Sequence, residues 1–202
     1  YNKSIVHERT KGASDLINIF DLDISEIPIF FVKSHNGSDC LRLLDSLAPS
    51  LLINSFSHEI LKRGILELPS RGVLSVHPGI LPKYRGCNAV EWAILNNDPV
   101  GSSCFFLTEG IDEGPIVLTA EMVVSDGEKH ESIRRRIITH GCKTLARGVE
   151  IVLRDNMSLD RTPKQGKGTY FPRMDKESHQ QIVRMLREKR YQPNSNHLGK
   201  HY

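Results

Sequence analysis

Residues 73–86 read VLSVHPGILPKYRG and form the most informative stretch of this 202-residue chain. Its beginning, Val73–Val76, predicts a buried β-strand, which the sequence His77-Pro78-Gly79 ends abruptly. Two prolines and two glycines stiffen the loop that follows, and a stiff loop can hold an imidazole in one orientation. Open α/β sheets bind ligands outside the carboxyl ends of their strands, where His77 is predicted to lie. His77 is therefore the first candidate for chemistry.

Strand and helix patterns alternate along the rest of the chain. This alternation predicts an α/β fold with a mainly parallel, twisted sheet flanked by helices. Asn88 is the predicted N-cap of one helix. Apolar runs predict strands at 27–32, 51–54, 73–76, 103–108 and 115–124. Helical spacing predicts helices at 14–20, 39–47, 88–96, 128–154 and 175–190.

Composition excludes several classes of protein. No apolar run approaches the roughly 20 residues that cross a bilayer, so no membrane span is predicted. A formal net charge of +3 is modest and weighs against a nucleic-acid partner. The four cysteines form no CxxC pair, which predicts free thiols in a cytoplasmic protein and no metal site.

Asp112 is the second candidate for chemistry. It lies in the loop 109–114 between two predicted strands and has glycines on both sides. Such a loop can bring the carboxylate beside His77, where it would raise the pKa of the imidazole and fix its tautomer. The alternative is that Asp112 only shapes a β-turn, for which Asp beside Gly is well suited.

Three segments resemble the folate-dependent formyltransferase family, which includes glycinamide ribonucleotide, methionyl-tRNA and sugar-nucleotide formyltransferases. SVHPGILPKYRG (75–86) is similar to the segment with the catalytic histidine and the loop after it. TEGIDEGPIV (108–117) is similar to the loop with the catalytic aspartate. SHEIL (57–61) lies where the family binds the pterin ring of the folate. The resemblance covers about residues 27–153 and implies a Rossmann-like formyltransferase fold.

The resemblance also implies a function. A formyl group would move from 10-formyltetrahydrofolate to a primary amine, with catalysis by His77, Asp112 and the residue at position 75, and without a metal. The expected acceptor is a small phosphorylated or nucleotide-linked molecule. The family's other site residues would then bind the folate and the acceptor. By resemblance, the folate-binding residues are Glu59, Ile60, Leu61, Gly110, Ile111 and Asp112, and the acceptor-binding residues are Tyr84, Arg85 and Gly86.

Two departures from the family keep alternatives open. Ser75 stands where the family has a catalytic asparagine. The βαβ segment that opens the family fold is not recognisable, so we expect an N-terminally incomplete catalytic domain at 1–156. A C-terminal extension with a short helix and a polar tail is predicted at 157–202. The alternatives are a formyltetrahydrofolate hydrolase and a non-catalytic folate-binding relative, and the sequence leaves the oligomeric state open.

Overall fold

A computed structural model of the protein describes residues 27–193 except residues 56 and 58. The chain divides into two units, residues 1–31 and 32–202. The predicted helix at 14–20 lies outside the described residues. Part of the predicted pterin-binding segment (57–61) and most of the polar tail also lie outside them.

The predicted strand at 27–32 is wrong. These residues form no strand, and most of the large apolar side chains are exposed, Phe31 to 81%. Branched and aromatic residues favour strands only where a neighbouring strand and a buried face are present. Composition alone was therefore an insufficient reason to predict a strand here.

The second unit confirms most of the other predicted elements, each within a few residues of the expected bounds. A 3₁₀ turn, Leu159–Arg161, follows the longest helix. The elements are α1 (Ser38–Leu47), β1 (Leu52–Asn54), α2 (Arg63–Leu66), β2 (Val73–His77), β3 (Tyr84–Gly86), α3 (Ala89–Leu95), β4 (Gly101–Phe106), β5 (Ile116–Glu121), α4 (His130–Arg154), β6 (Thr169–Phe171) and α5 (Lys176–Arg187).

The main sheet has the strand order β1-β2-β4-β5. β1 and β2 are parallel, whereas β2–β4 and β4–β5 are antiparallel pairs. The α/β formyltransferase fold is confirmed, and over the described residues its sheet is mixed. β4 runs beside β2 in the opposite direction because β3, α3 and the connecting loops leave the chain at the carboxyl end of β2, where Ser103 pairs with His77.

The helix α4 takes part in two hydrophobic cores. Its first half contributes Ile133 and Ile137 to a core shared with α3 and α5. Its second half packs Leu145 and Val152 against the sheet. A Cβ at Gly148 would lie 2.2 Å from the Cys104 sulfur, so this glycine permits close contact of α4 with β4.

The segment after residue 157 packs on the same unit. β6 pairs in parallel with β3, and α5 contacts α3. Asp175 caps α5 by accepting a hydrogen bond from the Ser178 backbone N–H at 2.8 Å. Asn88 precedes α3 as predicted, yet its side chain does not cap that helix; it accepts a hydrogen bond from the Met174 N–H instead.

None of the helices in the described part of the chain is long and apolar enough to cross a membrane.

Candidate active site

The alternation of side chains along β2 creates the site. Leu74 and Val76 point into the core that β2 shares with α4. Ser75 and His77 therefore lie on the opposite face, two residues apart on one strand. Both are nearly inaccessible, with exposed fractions of 5% and 6%. The strand thus presents a histidine and a serine together at its carboxyl end.

His77 has an acceptor at each ring nitrogen. Nε2 lies 2.8 Å from the Tyr84 carbonyl oxygen, and Nδ1 lies 3.4 Å from Asp112 Oδ2. A carbonyl oxygen can only accept, so Nε2 carries the proton and the tautomer is fixed by Tyr84 rather than by Asp112. Nδ1 is therefore the nitrogen that remains available for chemistry next to the carboxylate.

The pKa of His77 is lowered below its ordinary value, chiefly because the ring is buried away from water. The Asp112 charge and the bond to the Tyr84 carbonyl oppose this effect without overcoming it. The predicted rise in the His77 pKa is therefore wrong in its net direction, although Asp112 acts in the expected sense. At neutral pH the site therefore holds a neutral imidazole.

The loop that contains Asp112 is fixed by three hydrogen bonds from other parts of the chain, two of them to Asp112 itself. The Gly86 backbone N–H donates to Asp112 Oδ2 at 2.8 Å. The side-chain amide of Gln165 donates to the carbonyl oxygens of Asp112 and Gly114 at 2.8 and 2.7 Å. Asp112 also occupies a turn with φ +53°, so it shapes the turn and, in addition, faces the histidine.

A second set of contacts holds the loop after His77. Ser103 stands opposite His77 in the β2–β4 ladder, and its Oγ donates to the Gly79 carbonyl at 2.9 Å. The same oxygen accepts from the Leu81 N–H at 2.9 Å. A Cβ at Gly79 would lie 2.6 Å from His77 Nε2, so this glycine lets the loop lie against the imidazole.

Tyr84 contributes its backbone to the site, whereas its side chain is in the core. Its hydroxyl donates to Asp98, and its ring stacks on Phe171 with centroids 5.1 Å apart. Burial together with the Asp98 carboxylate raises the pKa of the phenol. Among the residues predicted to bind the acceptor, Tyr84 is thus placed to orient His77 through its carbonyl oxygen.

Arg85 links the aspartate loop to the C-terminal segment. Its guanidinium lies 3.4 Å from Glu113 Oε1 and donates to the Gly166 carbonyl at 2.9 Å. It also lines an open cavity of about 620 Å³, which contains Lys164 and Lys167 as further basic side chains. Arg85 therefore braces the loop and borders a space large enough for a ligand.

The predicted folate-binding residues lie in two loops, one between β1 and α2 and the other between β4 and β5. The pKa of Arg63, at the start of α2, is raised mainly by its hydrogen bond to Glu67 and also by the charge of Glu109 in the second loop. Ile60 and Ile111 are exposed to 74% and 47%. Exposed apolar surface beside these loops is suited to a flat aromatic ring.

The backbone of residues 59–61 is partly occupied. The Ile60 carbonyl accepts from the Asn36 amide at 3.0 Å, and the Glu59 carboxylate accepts from Ser34 and Asn36. The N–H and C=O of Leu61 have no hydrogen-bond partner among the described residues. Leu61 thus offers a backbone donor and acceptor for a ring edge, which fits a pterin.

Three positioning residues were missed by reading the sequence. Gln165, Ser103 and Asn36 are joined to the site by hydrogen bonds across 22 to 53 positions of the chain. No local motif marks such residues, because each acts through a contact formed only in the folded state. Within the described residues, no group of three or more His, Cys, Asp or Glu side chains is arranged to hold a metal ion.

A His–Asp pair at the carboxyl end of a strand in an α/β sheet is an arrangement that can perform acid–base chemistry on a bound ligand. Residues 5–149 match the sequence model of the formyl transferase family, so this chain belongs to that family. A methionyl-tRNA formyltransferase from Kosmotoga olearia is 31% identical over 153 residues, which make up 75% of this chain and 49% of that protein. The chain spans about half the length of the curated relatives that it matches.

Solved structures share the fold. The formyltransferase PseJ from Anoxybacillus kamchatkensis, in complex with a UDP-linked formamido sugar and tetrahydrofolate, has a TM-score of 0.57 at 19% identity. That match covers 69% of this chain and 78% of PseJ. Glycinamide ribonucleotide transformylase 1 from Symbiobacterium toebii has a TM-score of 0.55 at 22% identity, covering 64% and 61% of the two chains.

Gly86→Ala is expected to destabilise the protein by about 1–3 kcal/mol because the residue has φ +90°, where side chains are strained. The new Cβ would also lie 2.4 Å from the Phe171 carbonyl oxygen, which would push apart β3 and β6. Urea unfolding measures the change. Gly166→Ala is the matched control, since a Cβ there meets no atom within 4 Å. Equal stability of the two variants would contradict the prediction.

The lowered His77 pKa predicts a loss of stability in mild acid. Between the folded pKa and the ordinary value of 6.5, the unfolded chain binds more protons than the folded one. The free energy of unfolding therefore falls as the pH drops below about 6.5, and this part of the fall should be absent in His77→Gln.

The comparison is best made in a His140→Gln background, because burial lowers the pKa of His140 as well. Urea unfolding between about pH 7.5 and pH 5.5 gives the slope for each protein. The pKa values of Glu91 and Glu128 are lowered from 4.5, so those carboxylates act at lower pH. Identical slopes with and without His77 would show that its pKa is the same in both states.

Proposed function

We propose that this protein transfers a formyl group from 10-formyltetrahydrofolate to a primary amine on a small phosphorylated or nucleotide-linked molecule. The observation that carries the proposal is the His77–Asp112 pair, with Nδ1 facing the carboxylate at 3.4 Å while Nε2 is held by a backbone carbonyl. Membership of the formyl transferase family supports the reaction type.

10-Formyltetrahydrofolate supplies an activated formyl group whose carbon the amine attacks. A new C–N bond forms as the bond from the formyl carbon to the folate nitrogen breaks. One proton leaves the amine, and one arrives at the folate nitrogen. Asp112 is placed to accept the amine proton and to pass it to His77 Nδ1, which lies 3.4 Å from the carboxylate. The protonated Nδ1 then stabilises the negative charge that develops on the formyl oxygen, and it gives the proton to the folate nitrogen as the C–N bond breaks. Burial keeps water from weakening both interactions.

The cavity beside Arg85 supports an anionic acceptor. It is lined by three basic side chains, Arg85, Lys164 and Lys167, and by two acidic ones, Glu113 and Asp160. Guanidinium and ammonium groups bind phosphate oxygens well, and Arg85 reaches the loop that contains Asp112. An amine attached to a phosphate or a nucleotide would therefore place its charged part here and its nitrogen near the aspartate.

The test is tetrahydrofolate release from 10-formyltetrahydrofolate by the purified protein with a panel of acceptors. The panel contains glycinamide ribonucleotide, amino-sugar nucleotides, methionyl-tRNA and a control without amine. Release that depends on a small anionic amine supports the proposal. Release with methionyl-tRNA alone keeps the reaction and changes the acceptor, and release without amine indicates a hydrolase. Folate binding without release would make the protein a binding relative.

A further inference from the structure

The hydroxyl group of Ser75 is fully used within the protein. Its Oγ donates to the Asn54 backbone carbonyl at 3.1 Å and accepts from the Asn54 side-chain amide at 3.1 Å. A hydroxyl has one proton, so Ser75 has none left to donate to a substrate. Ser75 alone therefore cannot supply the donor that the resemblance implies at its position.

Asn54 lies beside Ser75 on the neighbouring strand. It is the last residue of β1, and it is the register partner of Ser75 in the parallel β1–β2 pair. The bond between their side chains places the Asn54 amide on the same face of the sheet as Ser75 and His77. Asn54 is half-buried, whereas Ser75 is buried, so the amide is the more accessible group.

The contacts of Ser75 also fix the orientation of the Asn54 amide. Because the Ser75 proton is given to a backbone carbonyl, Ser75 Oγ accepts the bond from Asn54, and the atom facing it must be nitrogen. An amide nitrogen has two protons, and the second has no partner among the described residues. The group is thus planar, oriented and still able to donate.

We propose that Asn54 is the second hydrogen-bond donor to the reacting formyl oxygen, beside His77 Nδ1, and that Ser75 is its positioning residue. The inference rests on the proposed function. The amide donor would then lie on β1, at the register partner of Ser75. A preorganised donor of this kind needs no reorganisation when charge develops, and its loss typically lowers kcat about 10²- to 10³-fold.

The experiment measures kcat and KM for tetrahydrofolate release in Asn54→Ala, Asn54→Asp, Ser75→Ala and the exchange variant Asn54→Ser/Ser75→Asn. We expect Asn54→Ala to lower kcat about 100-fold, with tetrahydrofolate binding and the urea midpoint nearly unchanged. Asn54→Asp, which has the same shape and no donor, should be at least as slow. Ser75→Ala should lose less, because the donor remains while its orientation is relaxed.

The exchange variant separates a catalytic role from a structural one. This variant moves the amide from β1 to position 75 on β2, so its kcat should be well above that of Asn54→Ala. If Asn54 has a purely structural role, kcat should not recover. Wild-type kcat in Asn54→Ala, together with a large loss in His77→Gln, would overturn this inference and leave the proposed function standing. If the wild-type protein releases no tetrahydrofolate with any acceptor, the proposed function and this inference fall together.

Discussion

His77→Gln is expected to lower kcat about 10²- to 10³-fold with little change in folate binding. Glutamine is polar and of similar reach, so the Tyr84 carbonyl can keep a hydrogen-bond donor. It cannot gain a proton, so it cannot place a cationic donor beside the formyl oxygen as charge develops. Loss of one such donor removes about 3–4 kcal/mol of barrier lowering. Tetrahydrofolate release at saturating substrate, with the dissociation constant of tetrahydrofolate measured separately, checks this.

The matched control is His140→Gln. His140 is half-buried and makes two hydrogen bonds, to Ser102 Oγ at 2.8 Å and to the Glu121 carbonyl at 3.1 Å. It lies on α4, on the opposite side of the sheet from the face with Ser75 and His77. Similar losses of kcat in both variants would mean that replacing either histidine disturbs the fold. The result would then contradict a catalytic role for His77.

Helices and strands were predicted correctly from the sequence where local periodicity determines the structure. α4 extends over nearly the expected range, and Ile133, Ile137, Leu145 and Val152 recur at helical spacing and are buried. β2 begins and ends close to the predicted bounds, because a short apolar run is followed at once by Pro78 and Gly79. The segment 27–32 had the same composition as a strand and is not one, since a strand depends on neighbours that its own residues do not specify.

The site was only partly predictable, for the same reason. His77 and Asp112 were predicted from their positions after a strand and between two strands, and above all from the resemblance of the surrounding segments to the formyltransferase family. The structure brings the two side chains together. The direction of the His77 pKa was not predictable, because it depends on how deeply the ring is buried. The support from Gln165 and Ser103 arises from contacts between distant parts of the chain.

Asp112→Asn is expected to lower kcat by about 10²-fold or more while the protein stays folded. Asparagine has the same shape, so its oxygen can still accept from the Gly86 N–H, and Gln165 still binds the backbone at 112 and 114. The variant loses the group that accepts the amine proton, a contribution of about 10²- to 10⁴-fold in acid–base catalysis. The assay is tetrahydrofolate release with the preferred amine.

The same variant makes a separate prediction about pH. The Asp112 charge raises the pKa of His77 against the effect of burial, so its removal lowers that pKa further. Activity that requires a protonated His77 is lost as the pH rises through the His77 pKa. In Asp112→Asn this loss should begin at a lower pH, so the alkaline limb of the kcat/KM profile should move toward acid. Glu109→Gln removes one charge from the same loop and should change kcat less than about twofold. If Asp112→Asn is slow but its kcat/KM profile does not move along the pH axis, Asp112 acts in proton transfer and does not set the His77 pKa. If the variant has the wild-type kcat, Asp112 only shapes the turn.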